Sequence, residues 1–248
     1  MSSINWETNS KKSKLPFGEA QLLSLLYGIH LPDYKTKDEL DNKILEIKRE
    51  KSDIINWIYN TICEVKGVDT LSDCNAVEIG PGAGIMLDWL APKVNHLDCI
   101  DISETILNSC KEQNKQHKNV SYHLIEGNID FSKIKNIDFV YSQSVFIHLS
   151  ILDFYIYFKQ LYKSLNTGGL IYIDIIDCDV KEFTLQEDEF QRQLHYLELD
   201  YLMGTKTLYH VNSSSTLVKT ANDLGYELVW SQGSIYNSAN VSLIFKKV

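Results

Sequence analysis

The 248-residue sequence predicts an α/β fold built on a doubly wound, mostly parallel sheet. From Asn75 onward, short apolar runs alternate with amphipathic stretches, which is the pattern of βαβ units. A glycine-rich turn follows the first of these apolar runs. The final β-rich runs, "LGYELVW" and "NVSLIFKKV", are joined only by "SQGSIYNSA". Because a parallel pair needs a crossover of about a dozen residues or more, these two runs should form an antiparallel hairpin.

The alternation predicts five strand and helix steps before the hairpin. Strands are expected near Ala76–Gly80, Leu97–Asp101, Ser121–Glu126, Ile137–Ser142 and Leu170–Ile176. Helices are expected at Ile85–Leu90, Ser103–Asn114 and Ile151–Leu165. Ser103 is a suitable N-cap residue, and the glycines of "NTGG" should end the third helix.

Two segments fall outside this alternation, and both are predicted to cover the core. Residues 1–70 are interpreted as an N-terminal helical cap, with an apolar island followed by two or more helices interrupted at Lys51. Residues 71–248 form the predicted core domain. Within it, the acidic and aromatic stretch near 180–210 contains no obvious strand and is interpreted as a substrate-cap insertion.

Composition excludes several classes of partner. The formal net charge of −9 argues against nucleic acid, since phosphate binding needs a concentrated basic face. No apolar run reaches the roughly 18 residues of a membrane span, and the N-terminus lacks a secretory signal, so a soluble, cytoplasmic protein without a membrane partner is expected. The five cysteines are scattered and suggest neither a zinc site nor a disulfide framework. The oligomeric state is left open.

The stretch "VEIGPGAG", residues 77–84, limits the classes of ligand that the glycine-rich turn can bind. A triphosphate loop is excluded because Ile85 and Met86 stand where it needs Lys and Ser or Thr. A dinucleotide fingerprint is disfavoured because the glycines follow a G-x-G-x-G spacing and Pro81 lacks an N–H group. Glu78 adds a carboxylate that would repel phosphate and suits a ligand with a cationic part.

Five stretches together resemble the class I S-adenosylmethionine-dependent methyltransferases. The first is "EIGPGAG", and the others are "CIDIS", "EGNID", "DFVYSQSVFIHL" and "LNTGGLIYIDI". The resemblance covers roughly residues 75–248. It implies a Rossmann-like, seven-stranded, doubly wound sheet with an antiparallel C-terminal hairpin, and S-adenosyl-L-methionine as the cofactor.

The resemblance also implies a set of cofactor-binding residues. They are Glu78, Gly80, Gly82, Gly84, Asp101, Ile102, Asn128, Ile129 and Ser142. Asp101 would hold both ribose hydroxyls, although an acid ahead of a helix beginning at Ser103 is the competing interpretation. Asn128 follows Gly127 in the adenine-binding stretch, where the family usually has aspartate, so its hydrogen bond to adenine would be neutral and weaker.

The stretch after the fourth strand gives the expected chemistry. It lacks the N/D-P-P-Y/F and Pro-Cys motifs of nucleobase enzymes, which makes nucleic-acid bases poor acceptors. The stretch "YSQSVFIHLS" resembles the corresponding stretch of small-molecule methyltransferases, in which such a histidine lies by the acceptor. The resemblance therefore implies a small-molecule acceptor, such as a sugar or another metabolite, methylated on oxygen or nitrogen. His148 is the candidate general base, with packing beside the next helix as the alternative. Candidate substrate-binding residues are Tyr27, His195, Tyr201 and His210.

Three further expectations complete the sequence-based hypothesis. No metal is expected, because the three acids Asp174, Asp177 and Asp179 are interpreted as solvated residues at a strand exit. A non-catalytic or regulatory protein that binds S-adenosylmethionine is the first alternative function. A nicotinamide-dependent oxidoreductase is the second and is less favoured, because Ile85 replaces the third fingerprint glycine.

Overall fold

The structure of the protein is a computed structural model that describes residues 37–125, 130–179, 210–233 and 240–248, with side chains from residue 42 onward. The described residues up to 125 belong to one compact unit, and those from 130 onward belong to a second. The apolar island within residues 1–35 and the predicted insertion near 180–210, except for His210, lie outside the described residues. The domain boundary at residue 70, the N-terminal cap and the substrate-cap insertion therefore stay predictions.

The first described element is a single helix, α1 (Lys37–Lys66), so the predicted interruption at Lys51 is wrong. The number of helices predicted over residues 1–70 stays a prediction, because residues 1–36 lie outside the described part of the chain. Its buried residues, Ile55, Ile58 and Ile62, keep helical spacing. The polar residues around position 51 lie within the continuous helix, where the Ser52 hydroxyl donates to the carbonyl oxygen of Lys48 at 2.8 Å.

The first unit contains three parallel strands in the order β3–β2–β1. They are β1 (Asn75–Ile79), β2 (His96–Asp101) and β3 (Val120–Leu124), and the helices α2 (Ile85–Leu90) and α3 (Glu104–Gln113) connect them. The predicted N-cap is confirmed, because the Ser103 hydroxyl oxygen accepts from the Ile106 backbone N–H at the start of α3. Both crossovers place the carboxyl ends of the strands at one edge.

The second unit is a mixed sheet in the order β4–β5–β8–β7, with a short strand β6 beside the end of β5. Its elements are β4 (Ile137–Tyr141), α4 (Ile151–Ser164), β5 (Leu165–Asp177), β6 (Val211–Asn212), α5 (Ser214–Asp223), β7 (Tyr226–Gly233) and β8 (Asn240–Lys247). Strands β7 and β8 pair antiparallel, which confirms the predicted hairpin. The sequence analysis did not predict β6 or α5, and β5 begins five residues before the predicted strand.

An aromatic core fixes the chain segment between β4 and α4. Phe146 begins a 3₁₀ turn, Phe146–His148, and its ring packs edge-on against Phe154 and Phe158 of α4. Phe154 and Phe158 stack with ring centroids 4.0 Å apart, and both contact Phe245 of β8. Because aromatic pairs of this kind are directional, the turn that carries His148 is held firmly against the core of its unit.

Candidate active site

The glycine-rich turn between β1 and α2 depends on left-handed backbone conformations. Gly80, Gly82 and Gly84 have φ angles of 73°, 53° and 74°. The Gly80 N–H donates to the Ile100 carbonyl oxygen at 2.8 Å, and the Gly84 N–H donates to the Pro81 carbonyl oxygen at 2.8 Å. L-residues with side chains rarely adopt such φ angles, so three glycines in alternate positions are needed for this backbone path.

Gly82 and Gly84 differ in what surrounds them. A Cβ atom on Gly84 would collide with the Asn114 amide and lie 2.7 Å from Cys110 Sγ, so Gly84 is required for packing against the end of α3. A Cβ atom on Gly82 would meet nothing within 4 Å. The packing around Gly82 therefore leaves open space at the backbone, as a turn that a ligand approaches would require.

Glu78 is 3% exposed, and its carboxylate lies among buried thiols. Cys99 Sγ donates to Glu78 Oε2 at 3.9 Å. Burial raises the pKa of the Cys99 thiol well above its usual value, and the nearby Glu78 charge raises it further. Burial and then Glu78 also raise the pKa of Cys110. Both thiols therefore stay protonated and are poor nucleophiles.

Asp101 lies at the carboxyl end of β2, where the resemblance implies ribose binding. Its side chain is half-buried, and Oδ1 accepts from the Ser103 backbone N–H at 2.8 Å. This contact supports the interpretation of Asp101 as an acid that orders the start of α3, and it also holds the carboxylate in a fixed direction. The neighbouring Ile102 is 41% exposed, which is unusual for isoleucine and leaves an apolar surface beside the acid.

Several predicted site residues lie outside the described part of the chain. They are the cofactor candidates Asn128 and Ile129 and the substrate candidates Tyr27, His195 and Tyr201. Their roles stay predictions. The remaining candidates are placed in two groups, one in each unit: Glu78 to Ile102 in the first, and Ser142, His148 and His210 in the second.

The segment after β4 has an unusual backbone. Ser142 is fully buried, and its N–H donates to the Tyr172 carbonyl oxygen at 3.0 Å. Two residues later, Ser144 has a φ of 61°, a value that is uncommon for a residue with a side chain. Its N–H donates to Asp174 Oδ1 at 2.7 Å, and this bond stabilises the strained conformation.

Asp174 is the centre of a buried polar network that the sequence analysis missed. It was interpreted as a solvated acid, but it lies on β5 with 3% exposure, so that interpretation is wrong. Oδ2 accepts from Gln143 Nε2 at 2.9 Å, while Gln143 Oε1 accepts from the Tyr172 hydroxyl at 3.2 Å. The Tyr172 hydroxyl also lies 2.9 Å from the Ser242 hydroxyl of β8.

One signal in the sequence points to this network. Asp174 interrupts the otherwise apolar run "LIYIDII", where a charge would be costly unless partners surrounded it. Burial raises the pKa of Tyr172, the Asp174 charge raises it further, and the bond with Ser242 lowers it in part. The Tyr172 phenol therefore keeps its proton and acts as a donor. Gln143 has no local sequence signal, because its partners are 29 and 31 residues away.

The structure brings the backbones of two candidate histidines together. His148 is half-buried and ends the 3₁₀ turn, with its N–H donating to the Val145 carbonyl oxygen at 2.9 Å. The His210 N–H donates to the Ile147 carbonyl oxygen at 2.7 Å. Next to it, Asn212 Nδ2 donates to the Leu149 carbonyl oxygen at 3.1 Å. The start of β6 is thereby attached to the turn that carries the candidate base.

The acids at the end of β5 have structural partners. Asp177, which is buried rather than solvated as predicted, accepts from the Ser214 N–H at 2.9 Å. Asp179, which is exposed as predicted, accepts from the Ser215 N–H at 2.8 Å and from the Ser213 hydroxyl at 2.7 Å. Potential ligand atoms of Asp177, Cys178 and Asp179 lie within 4.8 Å of one another. Because the two carboxylates bind the N-terminus of α5, this cluster is explained without a metal.

Comparison with known proteins identifies the fold and a matching domain. Residues 77–173 match the family model described as a methyltransferase domain. The N-methyltransferase NodS of Bradyrhizobium japonicum, solved with S-adenosyl-L-homocysteine, aligns with a TM-score of 0.55 at 17% identity, over 80% of this chain and 86% of that one. Magnesium protoporphyrin IX methyltransferase of Synechocystis, also with bound S-adenosylhomocysteine, aligns with a TM-score of 0.59 at 12% identity, over 93% of this chain and 94% of the other.

A curated relative has a different kind of acceptor in its name. Alpha N-terminal protein methyltransferase 1 of Dictyostelium discoideum is 28% identical over 131 residues, or 50% of this chain and 48% of that protein. The aligned region thus spans about half the length of the relative.

The described strands and helices have the Rossmann-like fold of these methyltransferase structures, which confirms the predicted fold class. Residues 77–173 carry a methyltransferase domain, and the match and the fold together support a class I S-adenosylmethionine-dependent methyltransferase with S-adenosyl-L-methionine as the cofactor. The open space at Gly82 and the fixed Asp101 carboxylate fit this cofactor. Among the described residues, no helix has the length and apolar character needed to cross a membrane.

Proposed function

We propose that the protein transfers a methyl group from S-adenosylmethionine to an oxygen or nitrogen of a small-molecule acceptor, with His148 as the general base. The observation that carries this proposal is the placement of a half-buried imidazole on a turn fixed by the aromatic core, directly after β4. In open α/β sheets, ligands bind outside the carboxyl ends of the strands. Ser142, at the start of the same segment, is proposed to bind the cofactor.

The cofactor supplies an electrophilic methyl group on a sulfonium sulfur. The protein therefore has to bind the cofactor and the acceptor, orient them for transfer and exclude water from the site. In this proposal, Gly82 allows close approach of the cofactor, Asp101 accepts from the ribose hydroxyls and Ile102 packs against the adenine. The Glu78 carboxylate places negative charge behind the turn, which favours a cationic ligand. His148 accepts the proton that an ammonium or hydroxyl acceptor has to lose.

A methyl-transfer assay tests this function directly. The full chain is incubated with methyl-labelled S-adenosylmethionine and a panel of amines, alcohols and sugars, and both label transfer and S-adenosylhomocysteine release are measured. Acceptor-dependent release supports the proposal. Tight cofactor binding without transfer to any panel member would instead favour the alternative of a non-catalytic, regulatory protein.

A second candidate function is methylation of a protein α-amino group. It is favoured by the similarity to the Dictyostelium protein named for that activity. A peptide with a free N-terminus, compared with the same peptide after N-acetylation, separates this acceptor from side-chain or small-molecule acceptors. Cytoplasmic location, a small-molecule partner and the roles of Tyr27, His195, Tyr201 and His210 in acceptor binding remain part of the proposal.

A further inference from the structure

We propose that Gln143 binds the acceptor, and that its side-chain carbonyl oxygen accepts a hydrogen bond from the N–H of a primary or secondary amine. This inference rests on the proposed methyl transfer and narrows its acceptor from oxygen or nitrogen to an amine nitrogen. Asp174 and Tyr172 are positioning residues in this proposal, because they hold the Gln143 amide and do not themselves touch the acceptor.

The partners of Gln143 fix the direction of its amide. Asp174 accepts at both carboxylate oxygens, from Gln143 Nε2 at 2.9 Å and from the Ser144 N–H at 2.7 Å. A carboxylate in this position can only accept, so the NH₂ group of Gln143 has to face it. The carbonyl oxygen Oε1 consequently faces Tyr172, whose hydroxyl lies 3.2 Å away. The reversed amide would place two acceptors together.

The hydrogen positions along the network follow from the same reasoning. The Tyr172 hydroxyl has one hydrogen, which it donates to Gln143 Oε1. The Ser242 hydroxyl, 2.9 Å away, therefore donates to the Tyr172 oxygen. Hydrogen bonds in such a chain polarise one another, and the final acceptor is a buried carboxylate. Polarisation of the amide by Asp174 places additional negative charge on Oε1.

Gln143 is half-buried, whereas the three side chains that hold it directly or through Tyr172 are buried. Asp174, Tyr172 and Ser242 are buried at 3%, 1% and 8% exposure. The Tyr172 hydroxyl uses one of the two lone pairs of Oε1, which leaves capacity for a second donor. Gln143 lies two residues beyond the end of β4 and five residues before His148. The network thus holds a polarised carbonyl oxygen in the segment proposed to meet the acceptor.

A carbonyl oxygen at this position favours an amine over a hydroxyl. As an amine nitrogen forms its bond to the methyl carbon, the bond from that carbon to sulfur breaks and the electron pair stays on sulfur. The nitrogen gains positive charge and keeps its N–H until after transfer, so its hydrogen bond to Oε1 strengthens in the transition state. A hydroxyl acceptor loses its proton and would then face Oε1 with a lone pair, which is repulsive.

The same geometry limits the number of methyl groups that are transferred. A primary or a secondary amine carries an N–H that can bind Oε1, whereas a neutral tertiary amine has none. The wild-type protein should therefore methylate primary and secondary amines and leave tertiary amines almost unreacted. Benzylamine, N-methylbenzylamine, N,N-dimethylbenzylamine and benzyl alcohol form a matched probe series, and Ala-Ala-Ala amide provides a peptide amine.

The central variant is Gln143→Met, which removes the carbonyl group and keeps a similar length. We expect kcat/KM for the best amine probe to fall by about tenfold to a hundredfold, the usual effect of losing a hydrogen bond to a developing charge. Calorimetric affinity for that amine should fall in parallel. Cofactor affinity should stay within about twofold, since Gln143 is not proposed to contact it. Gln160→Met, at a half-buried glutamine of α4, is the matched control.

Tyr172→Phe tests the positioning role with little change in volume. It removes the donor to Oε1, so the amide can rotate, and the preference for amines over benzyl alcohol should fall several-fold while total cofactor binding is retained. A merely structural role of Tyr172 would lower transfer to both probes equally. Unequal loss supports the proposal, and equal loss overturns the role of the network.

The outcomes of the probe series separate this inference from the function on which it rests. Transfer to amines that falls in Gln143→Met, with unchanged cofactor affinity and melting temperature, supports it. Transfer to alcohols or sugars but to no amine, or undiminished amine transfer in Gln143→Met, overturns the inference and leaves methyl transfer intact. Absence of transfer to every probe and panel member would overturn the proposed function as well.

Discussion

The unit proposed to bind the cofactor and the unit proposed to bind the acceptor are held together by contacts of very different sequence separation. In the first, Asp101 accepts from Ser103 two residues later, and the glycine turn closes on itself between Pro81 and Gly84. In the second, Gln143 is held by a residue 31 positions away, and Tyr172 by one 70 positions away. Local contacts leave a motif in the sequence, whereas distant contacts do not.

The difference also predicts how each unit responds to substitution. The cofactor turn depends on backbone conformation, so one wrong side chain should eliminate binding. The acceptor segment depends on a network with several hydrogen bonds, so single changes should alter turnover and preference while cofactor binding persists. The predictions below test this contrast, beginning with the largest expected effect.

Gly82→Val should abolish cofactor binding. The β-branched side chain would occupy the open space at a backbone position with a φ of 53°, where the cofactor is proposed to approach. Titration calorimetry with S-adenosylhomocysteine measures the loss. Gly67→Val is the control, because Gly67 has a φ of 68° and equally open surroundings at the end of α1. If both variants bind the cofactor like the wild type, the turn does not hold it.

His148→Ala should lower turnover by roughly a hundredfold or more, with cofactor affinity almost unchanged. The acid limb that His148 contributes to the pH–rate profile should disappear, and any acid limb that is left belongs to the ammonium form of the acceptor. Steady-state kinetics across pH, together with thermal unfolding, measures both effects. His117→Ala, at a histidine paired with Asp88 outside the proposed site, should leave the kinetics unchanged. Normal turnover with reduced stability would show that His148 is a packing residue.

Asp101→Ala should weaken cofactor binding by about 1.5–3 kcal/mol, or roughly tenfold to a hundredfold in Kd. Asp130→Ala is a close structural control, since Asp130 also accepts from the backbone N–H of a serine two residues later, at 2.8 Å. The two variants lose the same local contact, but only Asp101 is proposed to bind ribose. Equal cofactor affinities in the two variants would contradict the ribose assignment and leave Asp101 as a helix-ordering acid.

Much of the fold could be predicted because its signals are local. The Ser103 cap, the helix at Ile85–Leu90 and the C-terminal hairpin each depend on residues within about one element. The sequence predicts a break in α1 at Lys51, because polar residues there interrupt the helical spacing of the apolar residues. In the structure, buried isoleucines on one face carry the helix through that point.

The unpredicted parts depend on tertiary contacts. Strand β6 has only two residues, and it is held in place where the His210 backbone N–H and the Asn212 side-chain amide donate to carbonyl oxygens of the segment after β4. Asp174 was interpreted from its neighbours in sequence as solvated, although it is buried between β4 and β8 partners. A charge inside an apolar strand was the available signal, but its partners could not be identified without the structure.

The smallest expected effect concerns Asp179, an exposed acid whose contacts are long-range. Its bonds to the Ser215 N–H, then to Ser215 and Ser213 hydroxyls, lower its pKa below the ordinary value. A folded-state pKa below the unfolded one contributes stability that is present above the unfolded pKa, near 4, and is lost as pH falls through the folded pKa. Asp179→Asn should therefore lower Tm slightly at pH 7, and the difference from wild type should shrink below about pH 4.

Asp130→Asn separates the two kinds of contact in the same experiment. The pKa of Asp130 is also lowered, first by the backbone N–H of Ser132, but that partner is only two residues away and can form the bond in the unfolded chain. Asp179 instead joins the end of β5 to the start of α5, 34 and 36 residues later. Thermal unfolding from pH 7 to pH 3 should show a larger Tm loss for Asp179→Asn. Equal losses would mean that the long-range cap contributes nothing beyond a local turn.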